Sequence, residues 1–178
     1  MTVKSINTPL TKEVLRELKA GDVVSLNGII YTGRDAAHKR LMETINSNEE
    51  LPFDIKDAVI FYVGPSPAKP GKIIGAAGPT TSYRMDGMTV PLLELGLSAM
   101  IGKGRRSAEV VESMKKNVAV YFAAVGGAGA LIASSVKESE VVAYDDLGTE
   151  AIRRLRVENM PLVVCIDTYG NNLYDNIK

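Results

Sequence analysis

Short apolar runs rich in β-branched residues recur along this chain, and most end in a glycine-bearing turn that leads into a segment of helical spacing. Residues 23–31, 58–63, 72–77, 98–102, 118–125, 140–144 and 162–167 have the length and residue types of strands. Helical spacing fills 10–20, the segment opening at Asp35, 90–96, 107–114, a glycine-rich start at 126–133, and 149–159. Such alternation predicts an α/β fold, a mixed sheet with helices packed against it. At 178 residues the chain is expected to form one domain, 1–178, large enough to bury roughly two-thirds of its unfolded surface.

Charge and cysteine content then exclude several classes of function. Lysine plus arginine and aspartate plus glutamate balance at 21 each, so net charge gives no long-range attraction to nucleic acid or an anionic membrane. No apolar run is long enough to cross a bilayer, and Met1-Thr2-Val3-Lys4-Ser5 has no signal-peptide pattern, so a cytoplasmic location is expected. The one cysteine, Cys165, sits in an apolar strand, where a buried inert thiol is the expected role. With one cysteine and one histidine, this chain is expected to hold no metal by itself.

The polar groups that carry chemistry lie in three loops, each following a strand. The central one is Gly78-Pro79-Thr80-Thr81-Ser82-Tyr83-Arg84-Met85-Asp86, in which Gly-Pro breaks the preceding run and Thr80 or Thr81 can cap a short helix. Thr81 and Arg84, three apart, share a side of such a turn and, with exposed amides, would suit a small carboxylate. An ordinary capped turn with a solvated arginine has the same pattern. In Tyr31-Thr32-Gly33-Arg34-Asp35-Ala36-Ala37-His38, Gly33 allows a sharp turn, and Arg34 and His38 can face one way at a helix start. Arginine offers a planar fork and histidine a proton carrier; alternatively Asp35 is a first-turn dipole partner and His38 a surface residue bonded to it. Lys103, flanked by glycines, either reaches a ligand or belongs to a solvated basic turn with Arg105 and Arg106.

Residues 64–71, rich in proline, are expected as a rigid loop at the edge of this site. Gly126-Gly127-Ala128-Gly129 is only part of a dinucleotide fingerprint, and helix-on-sheet packing is its expected use. Two arginines and a lysine converging beyond strand ends would suit a dicarboxylate. They make half of a site, since no metal or strong base accompanies them.

The order Thr32-Gly33-Arg34-Asp35-Ala36-Ala37-His38-Lys39-Arg40, then Gly78 to Asp86, then Lys103-Gly104-Arg105-Arg106-Ser107, then a double-glycine turn, resembles the β component of the iron–sulfur hydro-lyases. That family comprises class I fumarate hydratases and L(+)-tartrate dehydratases, and the resemblance runs over essentially the whole chain. It implies a swivelling β/β/α-type domain and a separate α subunit that carries a [4Fe–4S] cluster on three cysteines, the active site closing between the two in a hetero-oligomer. A chain of this length starting at Met1 is similar to the separate-subunit form. The resemblance further implies that Arg34, Arg84 and Lys103 hold the substrate carboxylates and that Thr80 hydrogen-bonds the substrate. Thr81 would sit at the carbon that gains or loses a proton, and Asp35 or His38 would relay it. The implied reaction is hydration of fumarate to malate or dehydration of L(+)-tartrate. Ser82-Tyr83 departs from the small pair usual in the fumarase pattern and leaves the substrate open. A carboxylate- or phosphate-binding module without catalysis is the reading from a different class.

Overall fold

A computed structural model describes residues 2–124 and 129–176. Along the chain lie β1 (Val3–Asn7), α1 (Lys12–Glu17), β2 (Val23–Thr32), α2 (Asp35–Asn46), β3 (Val59–Phe61), α3 (Asp86–Glu94), β4 (Ala99–Gly102), α4 (Ala108–Asn117), β5 (Val120–Ala124), α5 (Gly129–Ser135), β6 (Val136–Ala143) and β7 (Ile152–Ile166). The expected α/β class, with a mixed sheet and packed helices, is what this chain adopts.

Strand order is β1-β2-β3-β4-β5-β7-β6, with β7 also paired to β2. The strands β2-β3-β4-β5-β7 therefore close on one another as a five-stranded barrel-like ring. β1 through β5 run parallel to their neighbours, and β7 runs antiparallel to β5, β2 and β6. Closure gives the central strands two buried faces, and their side chains sort by alternation. Val59, Phe61, Ala99, Ile101, Val120, Phe122, Leu162 and Val164 pack together with Leu15 of α1 and Leu18 just after it. Their chain neighbours Ile60, Tyr62, Met100 and Tyr121 point the other way, under Leu41 of α2, Leu92 and Leu93 of α3, and Val110 and Met114 of α4.

Three expectations need correction. Residues 149–159 are not an amphipathic helix: from Ile152 onward they form the first part of β7. Ile152 and Leu155 have helical spacing, but Leu155, Val157 and Met160 enter the core as β7 pairs on both sides. Arg156 remains outside, paired with Glu138 across the ladder and with Glu158. Tertiary pairing overrides local propensity here. Residues 72–77 are not a strand either. They double back on the proline loop, Ser66 N donating to Ala76 O (3.0 Å) and Gly75 N to Ser66 O (3.2 Å), while Ala77 is buried in the core. A Cβ on Gly75 would lie 2.2 Å from Ser66 O, so only glycine permits that approach. Finally, the helix expected over 10–20 is a short one, Lys12–Glu17. The turn at Gly126-Gly127 lies outside the described residues.

Candidate active site

Because β2, β3 and β4 are adjacent and parallel, the loops that follow them leave from one edge of the ring. Arg34 to His38 follow β2, the proline loop follows β3, and Lys103 follows β4. Thr80 returns to this edge by donating its N–H to Tyr62 O at 2.7 Å. Thr81 forms an isolated parallel bridge with Lys103, reinforced by Ser82 N to Lys103 O at 2.9 Å. A 3-10 turn over Ser82–Met85 then runs into α3. Thr81 occupies the N-cap position without making a side-chain cap bond. Its hydroxyl is thus left for other work, contrary to the capping role its type suggests.

Each expected residue has a definite place. Arg84 Nε donates to Asp35 Oδ1 at 3.0 Å, joining the β2 loop to the central loop. The Thr81–Lys103 bridge joins the central loop to the β4 loop, so the three segments form one connected surface carrying Arg34, Arg84 and Lys103. Asp35 therefore orients Arg84, not Arg34; the partner of Arg34 is Glu150, through Nε at 3.1 Å. Tyr83 is exposed beside Arg84.

His38 is not on the surface and does not bond to Asp35. Its ring is fully buried, edge-on to Tyr62, and Nδ1 lies 2.9 Å from Arg34 O. A carbonyl can only accept, so Nδ1 carries the proton and Nε2 is a lone pair with no hydrogen-bond partner among the described residues. Burial drives its pKa down to about 4, the nearby Arg106 charge adding to the effect. His38 is neutral at physiological pH. Between pH 6.5 and 4 the unfolded chain binds a proton here that the folded chain refuses, so stability falls as pH drops, by roughly 3 kcal/mol at the lower limit. Chemical denaturation at pH 7 and pH 4 should show a smaller acid loss in His38→Gln than in wild type; parallel losses would contradict this environment.

Arg106 is the residue that sequence reasoning missed. Placed in a basic turn by its neighbours, it is instead fully buried at the side chain and ion-paired with Asp86 at 2.6 Å. It also donates to Thr89 Oγ1 at 2.9 Å and lies 5.2 Å and 5.1 Å above the Tyr62 and Tyr121 rings. Burial opposes its charge, but Tyr62 and Asp86 more than offset this and raise its pKa. Asp86 Oδ2 accepts from Ser107 N at 2.7 Å, so this pair ties the central loop to the start of α4. Ser107 also caps α4, accepting from Val110 N, as its type and position predict. Tyr121 Oη donates to Ser82 Oγ (2.9 Å), which accepts in turn from Lys103 N (3.1 Å). The signal for this network was the run Arg84-Met85-Asp86 followed twenty residues later by Arg106, which no spacing rule singles out.

Among the described residues, no three His, Cys, Asp or Glu side chains come together as a metal site. Cys165 is buried, and burial raises its pKa, so its thiol stays protonated. These residues do not fit an iron–sulfur cluster.

The model of the family described as "Fumarase C-terminus" matches residues 2–177. The chain belongs to the fumarase C-terminus family. Among curated relatives, the chain is 41% identical over 175 residues to "Putative L(+)-tartrate dehydratase subunit beta" of Methanocaldococcus jannaschii, covering 95% of this chain and 90% of that one. It is 40% identical over 178 residues to "Fumarate hydratase class I, aerobic" of Escherichia coli K12, covering 97% of this chain but 32% of that enzyme. A similar match, 38% over 181 residues, joins it to "Putative fumarate hydratase class I" of Geobacillus stearothermophilus, of which it spans 34%. Membership in the fumarase C-terminus family thus bears out the resemblance carried by Gly78 to Asp86. Relatives in this family are named as hydro-lyases, and the chain spans about a third of the class I fumarate hydratases. No helix among the described residues is long and apolar enough to cross a membrane.

Proposed function

We propose that this chain is the substrate-gripping β subunit of a two-part hydro-lyase that reversibly hydrates fumarate to malate. The observation that carries the reading is the connected cationic surface, in which Asp35–Arg84 and Thr81–Lys103 draw three loops to one edge of the ring. Arg34, Arg84 and Lys103 bind the two carboxylates, the arginines through their planar forks. Thr80 hydrogen-bonds the substrate. Thr81 holds its hydroxyl at the carbon that gains or loses a proton, with Asp35 or the neutral His38 passing that proton on. A weak base such as threonine needs those neighbours.

The partner α subunit holds the [4Fe–4S] cluster in this proposal, which accords with a chain that has no ligand set among its described residues. When bound, such a cluster supplies Lewis-acid polarisation of the substrate hydroxyl. The two chains form a cytoplasmic hetero-oligomer. Dehydration of L(+)-tartrate is the second reading, favoured by the relative named for that activity, of which this chain spans 90%.

The test is anaerobic reconstitution with an α-type subunit, assaying fumarate–malate interconversion beside tartrate dehydration. Turnover in the mixture alone supports the shared site, and the preferred acid decides between the readings. Binding of the acids without turnover in a complete complex would instead favour a carboxylate-binding module. In the active complex, Arg84→Ala should lower kcat/KM by about 10- to 150-fold, the loss of one charge-assisted contact. Wild-type kcat/KM would remove Arg84 from the site.

A further inference from the structure

Both arginines of the candidate site are gripped in the same way, by a carboxylate on Nε. For Arg34 that carboxylate comes from far along the chain. Glu150 lies in the 3-10 turn between β6 and β7, and its Oε1 accepts from Arg34 Nε at 3.1 Å and from Ala36 N at 3.4 Å. The terminal nitrogens of Arg34 have no hydrogen-bond partner among the described residues, and the side chain is 31% exposed.

The other wall of the slot is Gly64. A Cβ there would lie 3.0 Å from Arg34 Nη1, 3.2 Å from Arg34 Cδ and 3.2 Å from Thr149 O. The arginine side chain therefore runs against Gly64, which itself abuts Thr149 O, while the Glu150 carboxylate holds its Nε. That turn is itself pinned to β2 and α2. Thr32 Oγ1 donates to Ala151 O at 3.3 Å and accepts from Arg153 N at 3.0 Å. Arg40 pairs with both oxygens of Asp146 and lies over the Tyr144 ring.

From this geometry we infer that Glu150 and Gly64 are positioning residues for Arg34, which fix the guanidinium from behind so that its terminal fork points to a ligand carboxylate. Glu150 does not touch substrate; its role is orientation, and the inference rests on the carboxylate-binding reading of Arg34. A guanidinium held at Nε presents its terminal fork in a fixed plane, so little rotamer freedom remains to be lost on binding.

Three variants of the complex with the α-type subunit test it. Glu150→Ala should raise KM for the dicarboxylate by about 10- to 100-fold with a smaller change in kcat. Gly64→Ala should act in the same direction by crowding Nη1. Glu150→Gln, whose carbonyl oxygen can accept the same N–H, should restore KM to within a few-fold of wild type. Unchanged KM in Glu150→Ala, or no rescue by glutamine, would overturn the inference. A readout independent of turnover is the Arg34 Nε–H resonance in the full chain: slowly exchanging in wild type and Glu150→Gln, lost in Glu150→Ala. A fast-exchanging signal in wild type would sink the positioning role even if the complex is active. An inactive wild-type complex with the protected signal intact would sink the hydro-lyase reading and leave the positioning of Arg34 standing.

Discussion

Asp86→Ala is expected to destabilise the folded chain by about 3–5 kcal/mol, because it leaves the fully buried Arg106 guanidinium without its counter-charge. For a domain of this size that corresponds to a fall in Tm of roughly 10 °C. Asp86 also accepts from Ser107 N, so its loss loosens the start of α4 as well. Calorimetry or urea unfolding measures the effect directly. Removing both charges in Asp86→Ala/Arg106→Met should recover part of the loss, since an uncompensated buried charge costs more than an absent pair. A loss below about 1 kcal/mol in Asp86→Ala would mean that the remaining partners of Arg106, Thr89 and the two tyrosine rings, suffice to hold it.

The second large effect concerns chemistry. In the active complex, Thr81→Val should lower kcat by about 10²- to 10⁴-fold, the usual range for removing a group that moves a proton in the transition state. Valine has nearly the shape of threonine, and the backbone bridge to Lys103 does not depend on the hydroxyl, so the loop should keep its place. Thr81→Ser retains the hydroxyl and should retain most of the activity. Near wild-type turnover in Thr81→Val would move proton transfer to another group. The unfolding midpoint of each variant separates a chemical effect from a local collapse.

What could be read from the sequence was whatever local pattern alone determines. The strands at 59–61, 99–102 and 120–124 were legible because each is a short apolar run bounded by turn residues. Arg34 and Lys103 were legible as residues of strand-end loops in an α/β chain, and the parallel pairing of β2, β3 and β4 brings those loops to one edge. Thr81 and Arg84 follow no strand, and only the Thr80–Tyr62 hydrogen bond and the Thr81–Lys103 bridge bring their loop to the same edge. Residues 152–159 were misleading for a physical reason. An arginine-rich segment with apolar positions at helical spacing becomes a strand when it has partners on both flanks, and neither β2 nor β6 is visible from inside that window. Arg106 and Glu150 were opaque for a related reason. A buried arginine looks like any surface arginine until Asp86, Thr89 and the tyrosines close around it, and Glu150 acquires a role only where β7 brings its preceding turn against α2.

The register between β2 and β7 also bears on how quickly this molecule can form. Val23 faces Val163 and Tyr31 faces Arg154, so the ring is sealed by partners separated by most of the chain. Sealing it requires a very long loop to close, and topologies dominated by such distant pairings fold on the millisecond-to-second scale rather than in microseconds. During synthesis, β2 emerges long before the strand that covers it, exposing a hydrogen-bonding edge until β7 arrives. That interval is when a growing chain of this design is most exposed to mispairing with its neighbours.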